Sequence, residues 1–300
     1  MFKKFNKTKL FLILLLLFTL LLESCQSTKS LTRNYVEPDA PQDAEFVIAQ
    51  DVVFPETEGD YKYLFIRLYN PEYKNPFYIA NLLKGGIEIT KTEDVPDLSH
   101  AAIGFSLDDN YYGLTSGGKY QFAAETCTAP QDNKYMKNCD PDKSEQITYA
   151  YKVTPEEYEN TKAFVEFYLN DPKLKYDSLL TVKIGVFFIG KRYFTSKDKR
   201  EFGKMKYPKS AKNKKVNLNE KNKEKHFVCS TFLAFVLYNN VESITKYFDE
   251  NDIKYEYLNV TDISLIPGMT PLFYSNWSNY PEAAKAFVEE HPEFADYLTN

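Results

Sequence analysis

Short stretches dense in aromatic and β-branched residues alternate along the chain with longer ones in which apolar residues recur at helical spacing. Phe46 to Phe54 and Tyr61 to Tyr69 are of the first kind and predict strands. After the turn signal Lys84-Gly85-Gly86, Ile87 to Thr90 predicts another. Ser99 to Leu107 and Tyr111 to Thr115 flank Asp108-Asp109-Asn110 and predict a β-hairpin with a polar tip, closed by Gly117-Gly118. Gln146 to Val153 resumes the strand pattern. Thr154-Pro155-Glu156-Glu157 then supplies a capping residue, a proline at the first helical position and acids in the first turn, which together start a helix running to about Asp171-Pro172. Thr181 to Ile189 is apolar enough for either a strand or a helix. Further helices are expected from Cys229 or Ser230, over Ser243 to Asn251 and over Pro281 to Glu290. The fold class that follows is α+β.

The N-terminus follows a different pattern. Lys3, Lys4, Lys7 and Lys9 precede thirteen residues, Leu10 to Leu22, that are apolar apart from Thr19. A membrane-spanning helix needs about 20 such residues, so this stretch has the proportions of a signal peptide. It ends in Leu22-Glu23-Ser24-Cys25, which resembles a bacterial lipobox. On that resemblance residues 1–24 are removed and Cys25 carries fatty acyl chains such as palmitate, each buried methylene contributing about 0.8 kcal/mol to anchoring. The expected partner is a membrane, reached through the lipid on Cys25, and the expected location is the bacterial cell envelope. Loss of residues 1–24, with four lysines and one glutamate, takes the formal charge from −5 to −8. Residues 25–43 are polar, contain Pro38 and Pro41, and predict a flexible tether. Residues 44–300 then form one domain, with no internal repeat.

Three cysteines remain for that domain. Cys127 and Cys139 lie close together in a stretch with Pro130, Asp132, Asn133 and Pro141, where a disulfide would close a loop that has little core of its own. With that pair made, Cys229 is the odd thiol. It stands where the polar entry Lys225-His226 gives way to the apolar run Phe227 to Leu237, which puts the thiol at a helix N-terminus. Unpaired amides and the positive end of the helix dipole favour a thiolate there. A small buried hydrophobe is the alternative.

Residues 197–225 carry twelve lysines or arginines against four acids, broken by Gly203 and Pro208, and predict a mobile, solvated insertion. Contact with anionic phospholipid headgroups or an acidic envelope polymer is the functional alternative. No aromatic interleaving marks a nucleic-acid site, and no nucleic-acid partner is expected. No zinc or calcium motif is present, so neither a metal nor another cofactor is expected.

Three histidines are available as a base for Cys229. His100 begins an apolar strand beside the hairpin and could face a helix terminus; it could equally be structural. His226 is three residues from Cys229 but ends the lysine run, and His291 lies in the acidic C-terminal stretch, where a surface position is expected.

His100-Ala101-Ala102-Ile103-Gly104 and Phe227-Val228-Cys229-Ser230-Thr231-Phe232 resemble the histidine strand and the cysteine helix start of the circularly permuted papain-like hydrolases. That branch of the NlpC-like superfamily includes YiiX-like proteins and lecithin retinol acyltransferase. The histidine precedes the cysteine, as the permutation requires. Ile87 to Lys91, Lys175-Tyr176-Asp177 and Thr261-Asp262-Ile263 echo other family segments. The resemblance covers about Ile87 to Pro267. It implies an antiparallel sheet or barrel packed against the cysteine helix, and an enzyme in which Cys229 attacks an amide or ester while His100 moves the proton. It also implies an orienting group within Tyr112 to Ser116, where the chain offers Thr115, Tyr112 and Ser116 rather than an acid or amide, and a substrate wall at Tyr176. Peptidoglycan peptides and lipid acyl groups are the substrate classes implied. The alternative is a non-catalytic surface lipoprotein that uses the same scaffold for binding.

Overall fold

The computed structural model describes residues 32–41, 43–56, 58–72, 74, 98–115, 121–125, 137–169, 171, 174–194, 201–218 and 226–299. Its strands are β1 (Phe46–Ile48), β2 (Lys62–Asn70), β3 (His100–Gly104), β4 (Tyr111–Thr115), β5 (Gln121–Glu125), β6 (Glu145–Val153), β7 (Lys175–Tyr176), β8 (His226–Phe227) and β9 (Thr270–Asn276). Its helices are α1 (Pro155–Leu169), α2 (Ser178–Phe194), α3 (Cys229–Asn240), α4 (Glu242–Glu250) and α5 (Tyr280–Glu290). Seven strands form one sheet in the order β1-β9-β6-β2-β3-β4-β5, and every neighbouring pair is antiparallel. The α+β class holds. The short strand expected at Ile87 to Thr90 and the turn at Gly117-Gly118 lie outside the described residues, and the ambiguous Thr181 to Ile189 stretch is helix.

The sheet divides the core in two. Successive side chains along a strand point to opposite faces, and those paired across a ladder share one. On one face Leu64, Ile66 and Leu68 of β2 and Ala101 and Ile103 of β3 pack under α1, α3 and α4. On the other, Tyr63, Phe65 and Tyr69 with Ala102 and Tyr111 pack under α5 and the turn Pro292–Tyr297. Every residue of α3 from Cys229 to Tyr238 is buried, which explains an apolar pattern running right round it: the sheet lies below, with α1, α4 and the turn Tyr255–Tyr257 around it.

The direction of α3 follows from its contacts. Near its C-terminal end the Glu242 amide donates to Glu157 Oε1 at 2.7 Å, and the Tyr151 and Ser243 hydroxyls lie 3.0 Å apart. Ring contacts Phe164–Phe235 and Tyr168–Phe232 show that α1 runs antiparallel to it. The C-terminal end of α3 therefore lies over the Val153 end of β6. Its N-terminus lies toward the other end of the sheet, where β3 opens at His100 and β4 closes at Thr115.

Two segments are better anchored than their composition predicts. Thr32, Val36 and Ala40 are buried, and the Thr32 hydroxyl donates to Glu145 Oε2 at 3.2 Å, so the tether is fixed from Thr32 onward rather than free to residue 43. Within the lysine-rich insertion, residues 201–218 are pinned rather than solvated throughout. Met205, Tyr207 and Ala211 are buried, Asn213 Nδ2 donates to the Ile253 carbonyl at 2.6 Å, and Lys215 Nζ donates to the Tyr238 carbonyl at 2.6 Å, where a cation meets the negative end of α3.

A close approach makes one glycine necessary. A Cβ on Gly104 would fall 2.8 Å from Cε1 of Tyr111, a fully buried ring. Gly104→Ala is expected to destabilise the fold by about 1–3 kcal/mol, the usual cost of overpacking, read as a lower denaturant midpoint with an unchanged slope. An unchanged midpoint would show that Tyr111 has room to move.

Candidate active site

Cys229 is the first residue of α3 and is 7% exposed, with a free thiol. Val228 precedes it in extended conformation and offers no side-chain oxygen to the first amides of the helix. Thr231 turns backward instead, its hydroxyl accepting from the Val228 amide at 2.9 Å. Ser230 donates to the Leu258 carbonyl at 2.8 Å. The helix entrance is thus fixed from both sides, and no side chain at the cap position takes up its leading N–H groups.

Tyr176 is the side chain brought to Cys229. A two-residue parallel ladder pairs Lys175 with His226 and Tyr176 with Phe227. The Asp177 amide extends it by donating to the Phe227 carbonyl at 2.8 Å. Burial first, and the neighbouring Cys229 second, push the Tyr176 phenol well above its ordinary value. It stays protonated and can donate. Asp177 Oδ1 accepts from the amides of Leu179 and Leu180 at 2.9 and 3.1 Å and so caps α2. The sequence signalled this cap only as the acid after Tyr176 and before an apolar run.

His100 lies at the same end of the sheet as Cys229 but faces the other way. It pairs with Tyr69 across the ladder. The two rings are 4.7 Å apart, and Tyr69 meets Trp277 edge-on at 5.5 Å in the core under α5. Ala101, the next residue, points to the α3 face. The ladder therefore sets the imidazole on the face opposite the helix that carries the thiol.

The other named residues are dispersed. Tyr112 is on the α3 face but contacts Phe105, at the far end of β3 from His100. Thr115 closes β4 at the His100 end, and Ser116 lies outside the described residues. His226 is exposed in β8. His291 is not a surface residue: its side chain is 15% exposed, stacks on Phe287 at 4.6 Å and reaches the Ala49 carbonyl at 3.3 Å. Cys139 is buried under α5; Cys127 and Cys25 lie outside the described residues.

No protein-family model, curated protein or solved structure matches the chain. Among the described residues no group of three His, Cys, Asp or Glu side chains is placed to hold a metal ion. No described helix is long and apolar enough to cross a membrane. The chemistry in view is a thiol at the positive end of a buried helix, with a neutral phenol and backbone amides as donors around it.

Proposed function

We propose that the protein is an envelope-anchored cysteine hydrolase of the permuted papain-like kind, held to the membrane through Cys25. The observation that carries this is the placement of the Cys229 thiol at the start of α3 beside the protonated Tyr176 phenol. The Cys229 thiolate attacks an amide or ester carbonyl, and the carbonyl oxygen takes the negative charge. The leading amides of α3 and the Tyr176 hydroxyl stabilise that oxygen. His100 accepts the thiol proton and returns it to the leaving amine or alcohol, and water then releases the acyl group. Peptidoglycan peptides and lipid acyl groups are the substrate classes. For His100 to act, its ring must leave Tyr69 and turn round the first residue of β3.

A second reading has a specific observation behind it: the His100 ring packs on Tyr69, under α5, away from the thiol. On this reading the scaffold is a non-catalytic binding lipoprotein, and Cys229 serves the core.

The alkylation rate of Cys229 against pH, with and without His100→Ala and mapped by mass spectrometry, separates the two. An unassisted thiol loses reactivity below about pH 8.5. The hydrolase predicts reactivity that persists below neutrality and falls when His100 is removed. The binding protein predicts an inert thiol indifferent to His100. Cys229→Ser is expected to abolish turnover of muropeptides or acyl lipids while the thermal transition stays put; a large loss of stability with no activity to lose would make Cys229 a core residue.

A further inference from the structure

α2 is apolar on two sides. Leu180, Ile184 and Phe188 are buried beneath it. Leu179, Val182 and Val186 are 80%, 62% and 63% exposed, the three largest exposures among the described apolar side chains apart from Val53. At 100° per residue these three, with Gly190, fall within about a quarter of the helix circumference. A Cβ added to Gly185 or Gly190 would meet nothing within 4 Å. A continuous aliphatic stripe on a soluble face marks a surface meant to be covered.

Charge runs along the same helix. Lys183 flanks the stripe, held 3.6 Å from Glu256 and over the Tyr257 ring. Toward the C-terminal end of α2, Tyr207 stacks on Phe187 at 5.6 Å and brings the lysine-rich insertion alongside. Residues 201–218 hold six lysines against one acid, Glu201, in a chain whose net charge is −5. Lys206, Lys209, Lys212 and Lys214 are exposed. Aliphatic side chains beside segregated lysines complement an anionic lipid surface, with hydrocarbon below and phosphate above.

We infer that α2 is a membrane-docking helix, its Leu179-Val182-Val186 stripe entering an anionic phospholipid surface while Lys183 and the lysines of 201–218 meet the headgroups. Because α2 begins two residues after Tyr176, docking sets the Cys229 end of the sheet against the bilayer. The inference does not depend on catalysis.

The test uses the full chain carrying Val186→Trp on vesicles of brominated phosphatidylcholine with phosphatidylglycerol; Val182→Trp is the second position should the first perturb folding. Trp277, the one native tryptophan, is fully buried and serves as the internal reference. The expected result is a blue shift and loss of the new emission to bromine, absent for Trp277 and lost in Lys206→Glu/Lys209→Glu. An introduced indole that stays open to aqueous iodide on vesicles that have bound the chain would overturn the inference. So would shielding from iodide without bromine quenching, which would mean that a protein segment covers the stripe. Equal quenching on phosphatidylcholine alone would overturn the anionic preference.

Discussion

Arg67→Met is expected to lower the stability of the fold by about 3–5 kcal/mol, the range for breaking a buried ion pair from one side. Arg67 sits in the middle of β2, fully buried on the α5 face. Its guanidinium pairs with Asp109 at 2.8 Å. It is also clasped between the rings of Tyr111 and Tyr280, whose centroids are 3.9 and 4.4 Å away. A planar, weakly hydrated cation suits such a slot better than lysine would. Methionine fills the volume but leaves the Asp109 carboxylate, whose side chain is 13% exposed, without its partner. Asp109→Asn should be damaging from the other side, because the guanidinium then stays buried with its charge less compensated. The double variant Arg67→Met/Asp109→Asn should recover part of the loss, since both charges go together. Denaturant midpoints of the four proteins test this; single variants within about 0.5 kcal/mol of the parent would show that the pair is worth no more than a surface contact.

Alkali is expected to unfold the protein cooperatively through its tyrosines. Eleven described tyrosines have phenols pushed above their ordinary value, burial being the largest cause for each. Tyr158 and Tyr238 rise to about 12. A raised folded-state value means that the folded protein holds the proton more tightly than the unfolded chain, whose phenols ionise near 10. The associated stability is fully present below about pH 10 and is lost as pH climbs through the folded-state values. The Tyr111–Tyr280 pair, raised by burial on both sides, shows what is lost. Tyr280 donates to the Leu107 carbonyl at 2.9 Å and so accepts from Tyr111 at 3.1 Å, and ionising Tyr280 would remove its donated bond. Tyrosinate absorbance and circular dichroism, followed together, should show a limited first titration near pH 10 and a second wave coincident with loss of structure. If all 24 tyrosines ionised in one ordinary step with the fold intact, burial would not govern them.

Much of the architecture was legible where local chemistry decides it. Thr154 and Glu157 form the reciprocal cap their spacing promises, at 2.9 and 3.2 Å. The hairpin around Asp108 to Asn110 forms, but its polar tip is not simply solvated: Asp109 turns in to Arg67 and Asp108 accepts from the Thr299 amide at 2.9 Å. β9 was missed because Pro271 interrupts its pattern. The sheet tolerates that proline at the irregularity between Thr148 and Tyr149. α2 was ambiguous because aliphatic residues occupy both its buried and its open sides, which erases the period that would distinguish helix from strand. Cys229 at a helix start was readable from its own neighbours. The direction His100 faces was not, because a strand residue's face depends on the register with a distant partner, here Tyr69, and a shift of one residue reverses it.

The two-residue ladder of β7 and β8 has a consequence for the evolution of this chain. It ties Tyr176 to Phe227 across the whole of residues 178–225, so the thiol and its neighbouring phenol are registered by the two feet of that segment. Leu180, Ile184, Phe188, Met205, Tyr207 and Ala211 share the core of Cys229, but the exposed positions between those feet can be recharged or exchanged while the pair stays in place. The outward side of the helix and the exposed lysines beyond it are in that sense an interchangeable coat, through which one scaffold is directed to different surfaces without rebuilding its centre.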